Sequence, residues 1–175
     1  MMGTVTIRRV CADDAQVCVD GLADVLIDCV EGGASVSFML PIGREKAIAF
    51  WREVADDVQQ GARILLVAED EAGQIVGTVQ VITAQPENQQ HRADIAKMLV
   101  HRRARRNGVA QQLMIAAELA ARQEGKTVLV LDTVTGGAAE RLYQRAGWHR
   151  VGDVPNYALM PTGELSGTTF YCKQI

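Results

Sequence analysis

Four arginines, Arg102, Arg103, Arg105 and Arg106, fall between an apolar run ending at Val100 and the sequence Asn107-Gly108-Val109-Ala110, which begins an amphipathic pattern. The chemistry this turn can do is anion binding. A helix opening near Gly108 points its first free backbone N–H groups and the positive end of its dipole back into the loop, which suits a phosphate. Two carboxylates also stand out. Asp94 lies within an apolar strand run, although aspartate is a poor strand former, and Asp132 closes the next apolar run, Thr127 to Leu131.

The elements that must position these residues are legible as periodicities. Val5 to Val10 alternates as a first strand, and Asp13 or Asp14 can cap a helix carrying Val17, Leu22, Val25, Leu26 and Cys29 up to Gly32-Gly33. A second helix spans about Arg44 to Gln60. Arg63 to Glu69 and Gln74 to Ile82 form a hairpin around Asp70-Glu71-Ala72-Gly73, and Arg92 to Val100 is the strand that feeds the arginine loop. Gly108 to Glu124 is an amphipathic helix, Thr127 to Leu131 a strand covered on both faces, and Gly136 to Ala146 a shorter helix. Trp148 to Val151 and Thr168 to Lys173 are the last strand candidates. Strand, helix and strand at this spacing make a right-handed crossover with parallel strands. The fold class is therefore α/β with a mixed sheet, antiparallel at its start and parallel beside the arginine loop. No linker or repeat divides residues 1–175.

Composition excludes several function classes. A chain of 175 residues, 48% apolar and 22% charged with net charge −3, is an ordinary globular composition. No 18-residue apolar span calls for a membrane. Met1-Met2-Gly3-Thr4 runs straight into a strand pattern rather than a leader, so the expected location is cytoplasmic. Cys11, Cys18, Cys29 and Cys172 form no Cys-x-x-Cys pair and read as buried free thiols; His91, His101 and His149 lack metal-ligand spacing, so no metal is expected. Nucleic acid is not the expected partner of the arginines, because the chain is acidic, aromatics are 5%, and none interleaves with the run to stack a base. There is no Gly-x-x-x-x-Gly-Lys-Ser/Thr, no Gly-x-Gly-x-x-Gly after a strand, and Gly163-Glu164-Leu165-Ser166-Gly167 misses the nucleophile-elbow spacing.

Val100 followed by Arg105-x-x-Gly108-x-Ala110, a crossover helix, an apolar strand and then Ala139-x-x-Leu142-Tyr143-x-x-x-Gly147-Trp148 resembles the GCN5-related N-acetyltransferases, the GNAT family. Gly32 to Met39, Lys97-Met98-Leu99-Val100, Leu131-Asp132-Thr133 and Thr168-Thr169-Phe170-Tyr171 look like the tabtoxin-resistance acetyltransferases within it. The resemblance implies a GNAT-type, partly splayed sheet flanked by about four helices, with acetyl-CoA as co-substrate. It implies that the pantetheine arm pairs with the backbone of Met98, Leu99 and Val100, that the pyrophosphate sits on the N–H groups of Arg106, Asn107, Gly108, Val109, Ala110 and Gln111, and that the arginine side chains, Arg105 among the cofactor-binding residues, meet the 3'-phosphate or stay solvated. A side chain at Gly108 would obstruct that approach.

Acetyl transfer needs an unprotonated amine, an oxyanion donor and an acid for the departing thiolate. By resemblance, Asp94 is the first base candidate and Asp132 a partner base or an ammonium counter-ion, while Tyr143 is the acid and a backbone N–H near Leu99 the oxyanion donor. The acceptor is expected to be a small-molecule amine, such as a β-lactam-like antimetabolite. Ala34 to Leu40, with Ser35 and Phe38, would shape its pocket together with Asp132, Tyr157 and Tyr171. A peptide or protein N-terminus, and a non-catalytic acyl-CoA-binding module, are the alternatives; the chain is expected as a monomer or homodimer. It departs from the family pattern at Arg102, Arg106 and Gly136, where proline, glycine and asparagine are common.

Overall fold

The computed structural model describes residues 4–175; Met1 to Gly3, on which the reading of the N-terminus rests, lie outside them. Seven strands, β1 (Thr6–Arg9), β2 (Arg63–Glu69), β3 (Ile75–Ile82), β4 (Arg92–Val100), β5 (Val128–Val134), β6 (His149–Leu159) and β7 (Leu165–Gln174), form one sheet in the order β1-β2-β3-β4-β5-β7-β6. All neighbours are antiparallel except β4 and β5. That parallel pair is joined by α3 (Val109–Gln123), the crossover that the spacing predicts.

The helices divide by face. α1 (Val19–Glu31) and α2 (Arg44–Gln59) bury Leu22, Leu26, Trp51 and Val54 against Leu65 and Val67, while α3 and α4 (Ala139–Arg145) bury Leu113, Met114 and Tyr143 against Val79, Ile95 and Leu129 on the other face. Alternation along β2 explains this split, because Ile64 and Leu66 serve one core and Leu65 and Val67 the other.

Several boundaries differ from the periodic reading. The first helix begins at Val19 after a 3-10 turn at Ala12–Asp14, leaving Val17 outside it and 77% exposed. The last hairpin is longer at both strands than expected, because its arms carry exposed residues that break the apolar alternation. Cys11 is exposed and Cys172 partly buried; only Cys18 and Cys29 are buried thiols. Among the described residues, no helix is long and apolar enough to cross a membrane and no His/Cys/Asp/Glu group could hold a metal ion.

Candidate active site

β4 and β5 pair only from Arg92 to Asp94, opposite Val128 to Val130, and then part. Beyond that point β5 remains bound to β7, with Leu131 to Val134 opposite Tyr171 to Thr168, whereas β4 follows β3 to Val100 opposite Gly77. The facing edges of Ile95–Val100 and Leu131–Val134 have no strand between them. His101 N–H donates to the Val76 carbonyl at 2.8 Å, so alternate residues below it, Leu99 first, turn their backbone groups to β3. Met98 and Val100 therefore turn theirs to the split side, where Arg105 Nε and Cys29 Sγ take the Val100 carbonyl and leave its N–H. Of the three residues expected at this edge, Leu99 is committed to β3 with its side chain buried, and the N–H just before it, that of Met98, faces the split.

A β-bulge sits in the same stretch. Thr78 and Gln80 of β3 oppose Leu99 and Ala96, so β4 holds one extra residue, and Lys97 takes φ 51°. The bulge switches the parity of the strand: Ile95 faces the α3 core, Leu99 the α1/α2 core. Lys97 is thereby turned toward α2, its Nζ 3.3 Å from Ser37 Oγ and 5.7 Å from the Phe50 ring centroid. Burial pulls the Lys97 ammonium below its ordinary pKa, and the nearby Asp132 carboxylate partly counters this. Sequence reasoning missed Lys97. The signal was present, since a lysine in Ile95-Ala96-Lys97-Met98-Leu99 breaks the expected inward alternation.

At the C-terminal end of β4 the chain turns through Arg102–Ala104 and enters α3. Arg106 and Gly108 are left-handed, at φ 65° and 73°. Gln112 N–H donates to the Gly108 carbonyl, so the N–H groups of Val109, Ala110 and Gln111 precede the helical ladder and face the loop. A Cβ on Gly108 would meet nothing nearer than Gln112 Nε2 at 4.0 Å, so within the protein itself the glycine answers to its dihedral.

Most of the arginine side chains are engaged elsewhere. Arg102 binds Asp28 through both its N–H and Nε, at 2.8 and 3.0 Å, and Arg103 reaches Gln74 and Asp70. Arg105 folds back so that Nε donates to the Val100 carbonyl at 3.1 Å. Arg106 is exposed and, among the described residues, unpartnered. Burial opposes the Asp28 charge, but the Arg102 N–H and guanidinium outweigh it and hold the carboxyl below its usual range.

Asp132 is on β5 just past the split, exposed, and accepts a hydrogen bond from Thr168 Oγ1 at 2.7 Å. Leu129 and Leu131 face the α3 core, so by alternation Asp132 faces the α2 side, as do Asp94 and Lys97. Asp94 differs in its bonding. Its carboxylate is held by Arg92 and accepts from Gln85 Nε2 at 3.0 Å, and it sits opposite Val130, before the strands part. That engagement argues against Asp94 taking a proton from an amine directly.

Tyr143 approaches from the α4 face, 5% exposed, in edge and tilted contact with Trp148 and Tyr171. Desolvation, with the Asp132 carboxylate adding to it, pushes its pKa up to about 12. Tyr171 is fully buried behind it and donates to Glu140 at 2.7 Å. Tyr171 therefore supports Tyr143 and does not line an acceptor pocket, because its partner Leu131 lies on the α3 face of β5.

The remaining acceptor candidates surround the α2 side. Ser35 Oγ donates to the Leu159 carbonyl at 3.1 Å and Leu40 N–H to the Pro161 carbonyl at 3.0 Å, tying the α1–α2 connection to the tip of the β6–β7 hairpin. Phe38 packs edge-on to Phe50. Tyr157 stacks edge-on to Phe170, the cross-strand partner of Asp132. Another cleft, of about 730 Å³, lies at α1 among Arg8, Asp14, Asp28, Glu69 and Arg103, away from the split.

An unpaired strand edge leading to a cradle of helix N–H groups fits an extended amide-bearing arm ending in phosphates. The family model for the acetyltransferase (GNAT) domain matches residues 61–150, which span β2 to the start of β6. Among solved structures, the chain is similar to an N-acetyltransferase from Staphylococcus aureus Mu50 (20% identity, 98% of each chain covered, TM-score 0.78). It is similar to yncA from Salmonella typhimurium, solved with its cofactor acetyl-CoA (20% identity, 98% of this chain and 94% of that one, TM-score 0.77). It is also similar to a ribosomal-protein-alanine N-acetyltransferase from Brucella melitensis (23% identity, 97% and 99% covered, TM-score 0.77).

Proposed function

This chain belongs to the GNAT family of acetyltransferases, and from that premise we propose that it transfers an acetyl group from acetyl-CoA to the primary amine of a small molecule by direct attack in a ternary complex. The single observation that carries the reading is the parting of β4 from β5 after Asp94, in line with the N–H cradle of α3. Bound there, acetyl-CoA supplies the activated acetyl thioester.

The chain's own residues then have distinct roles. Met98 and the Val100 N–H offer backbone groups to the amide-bearing arm, and the Met98 N–H stabilises the developing oxyanion. Arg105, Arg106 and Asn107 form the rim of the phosphate cradle, with Gly108, Val109, Ala110 and Gln111 supplying N–H groups. Of the four loop arginines, Arg106 is the one whose side chain has no partner among the described residues and is free to meet a phosphate. Asp132 faces the acceptor, holds its ammonium and receives its proton, directly or through water. Tyr143 stays protonated at neutral pH, since its pKa is about 12, and donates its proton to the departing thiolate. Asp94 acts at one remove, by fixing Arg92 and Gln85 at the root of the split.

The connection of α1 to α2 is tied to the β6–β7 hairpin, which narrows the acceptor side and supports a small-molecule amine over a folded protein surface. The likeness of Gly32 to Met39 and of Leu131-Asp132-Thr133 to the tabtoxin-resistance acetyltransferases further supports a β-lactam-like antimetabolite amine as acceptor, and residues 1–175 as one catalytic domain.

The test is a thermal melt with acetyl-CoA followed by a thiol-release assay over an amine panel. Acetyl-CoA at about 100 times its dissociation constant adds roughly 2.7 kcal/mol of stability. No shift at millimolar acetyl-CoA, or equal thiol release by wild type and the combined Asp132→Asn, Tyr143→Phe variant, refutes the reading.

A further inference from the structure

The bulge in β4 points a lysine at the place where the proposed acceptor amine must lie, and a lone cation beside an incoming ammonium needs a reason. Lys97 has no carboxylate within 4 Å among the described residues, and its Nζ contacts only a hydroxyl, Ser37 Oγ, and the face of Phe50. The wall behind it is also rich in donors. Gln80, fully buried opposite Ala96, receives Arg63 Nη1 on its Oε1 at 2.5 Å and keeps an Nε2 group without a partner. Asp57 holds Arg63 at 2.6 Å, whereas Lys97 has no carboxylate in ion-pair contact among the described residues and feels only the more distant Asp132. Across the split, Asp132 provides the opposite sign on the same face. A partly buried cation without an ion-pair partner and a carboxylate on the two sides of one opening are complementary to a ligand carrying both charges.

Building on the acetyltransferase reading, we propose that Lys97 is a specificity-determining residue that binds an anionic group of the acceptor, so that the acceptor is a zwitterion of the amino-acid type. Its amine lies by Asp132, and its carboxylate, or an equivalent oxyanion, lies at Lys97 in reach of Ser37. Phe50 and Phe38 supply the apolar floor beneath the stem that joins the two charges. An anion placed there restores the charged form of Lys97 that burial disfavours.

The experiment compares two matched probe sets with acetyl-CoA and wild-type protein: the common L-amino acids, and the amines produced by removing their carboxyl group. Thiol release should favour the amino acids by tenfold or more in kcat/KM for the best pair. Lys97→Met should collapse that ratio toward one through a rise in KM for the amino acid, and Lys97→Arg should recover most of it. Both variants should keep the wild-type thermal response to acetyl-CoA. Wild type that treats both sets alike overturns the proposal while leaving acetyl transfer intact. A Lys97→Met loss that falls equally on both sets, or on kcat with KM unchanged, overturns it too, since that marks a structural or chemical role. No thiol release with any member of either set, where acetyl-CoA binds, overturns the acetyl-transfer reading and this one with it.

Discussion

Replacing Tyr143 with phenylalanine removes one oxygen from a side chain that is 5% exposed and has no protein hydrogen bond to its hydroxyl among the described residues. A pKa raised from 10 to about 12 by desolvation and Asp132 means that the site disfavours the phenolate by about 3 kcal/mol. At pH 8 only about one molecule in 10⁴ is ionised, so the proton is available throughout the working range. A positioned general acid contributes roughly 10²- to 10⁴-fold to rate. Tyr143→Phe should lower kcat by about that factor and leave the thermal response to acetyl-CoA unchanged. Global stability should stay within about 0.5 kcal/mol, because no hydrogen bond is broken. The assay is initial-rate thiol release between pH 7 and 10.5. Wild type should show no loss of rate from this group near pH 10, since a raised pKa keeps the acid protonated until pH approaches 12. A variant retaining more than a third of wild-type kcat at pH 8, or a wild-type alkaline limb from Tyr143 centred near 10, refutes the acid role.

Two further outcomes follow from the loop. Gly108→Ala should cost about 1–2 kcal/mol, because φ is 73° and a left-handed alanine is strained even where its Cβ has room. Its affinity for acetyl-CoA should fall further than stability alone accounts for, measured by calorimetric titration; unchanged affinity would remove the α3 cradle from the binding site. Asp28→Asn should lower stability by about 1–2 kcal/mol at pH 7, because a charged acceptor of the Arg102 N–H and Nε is lost. The Asp28 pKa is lowered on folding, so this contribution is present above the unfolded value of about 3.9 and disappears as pH falls through the folded value. Melting curves of the two proteins should therefore converge in acid, and a gap that persists at pH 2 contradicts the assignment.

The sequence by itself determined the elements, the crossover and the turn of free N–H groups that opens α3, because these are local: apolar spacing sets a helix or strand, and Gly108 with the first turn of α3 sets the direction of three N–H groups. The places of Tyr143 on the short helix and of Asp132 at the end of an apolar strand were also legible, from linear motifs. Only the tertiary structure decided where β4 leaves β5, which backbone edges face the opening and which arginine lacks a partner, since each depends on residues tens of positions away. It committed the backbone of Leu99 to β3, buried Tyr171 in the core beside Tyr143, and occupied the Asp94 carboxylate with Arg92 and Gln85. The decisive case is Lys97. One extra residue in β4 reverses which face every later side chain meets, and that parity is fixed by pairing with β3.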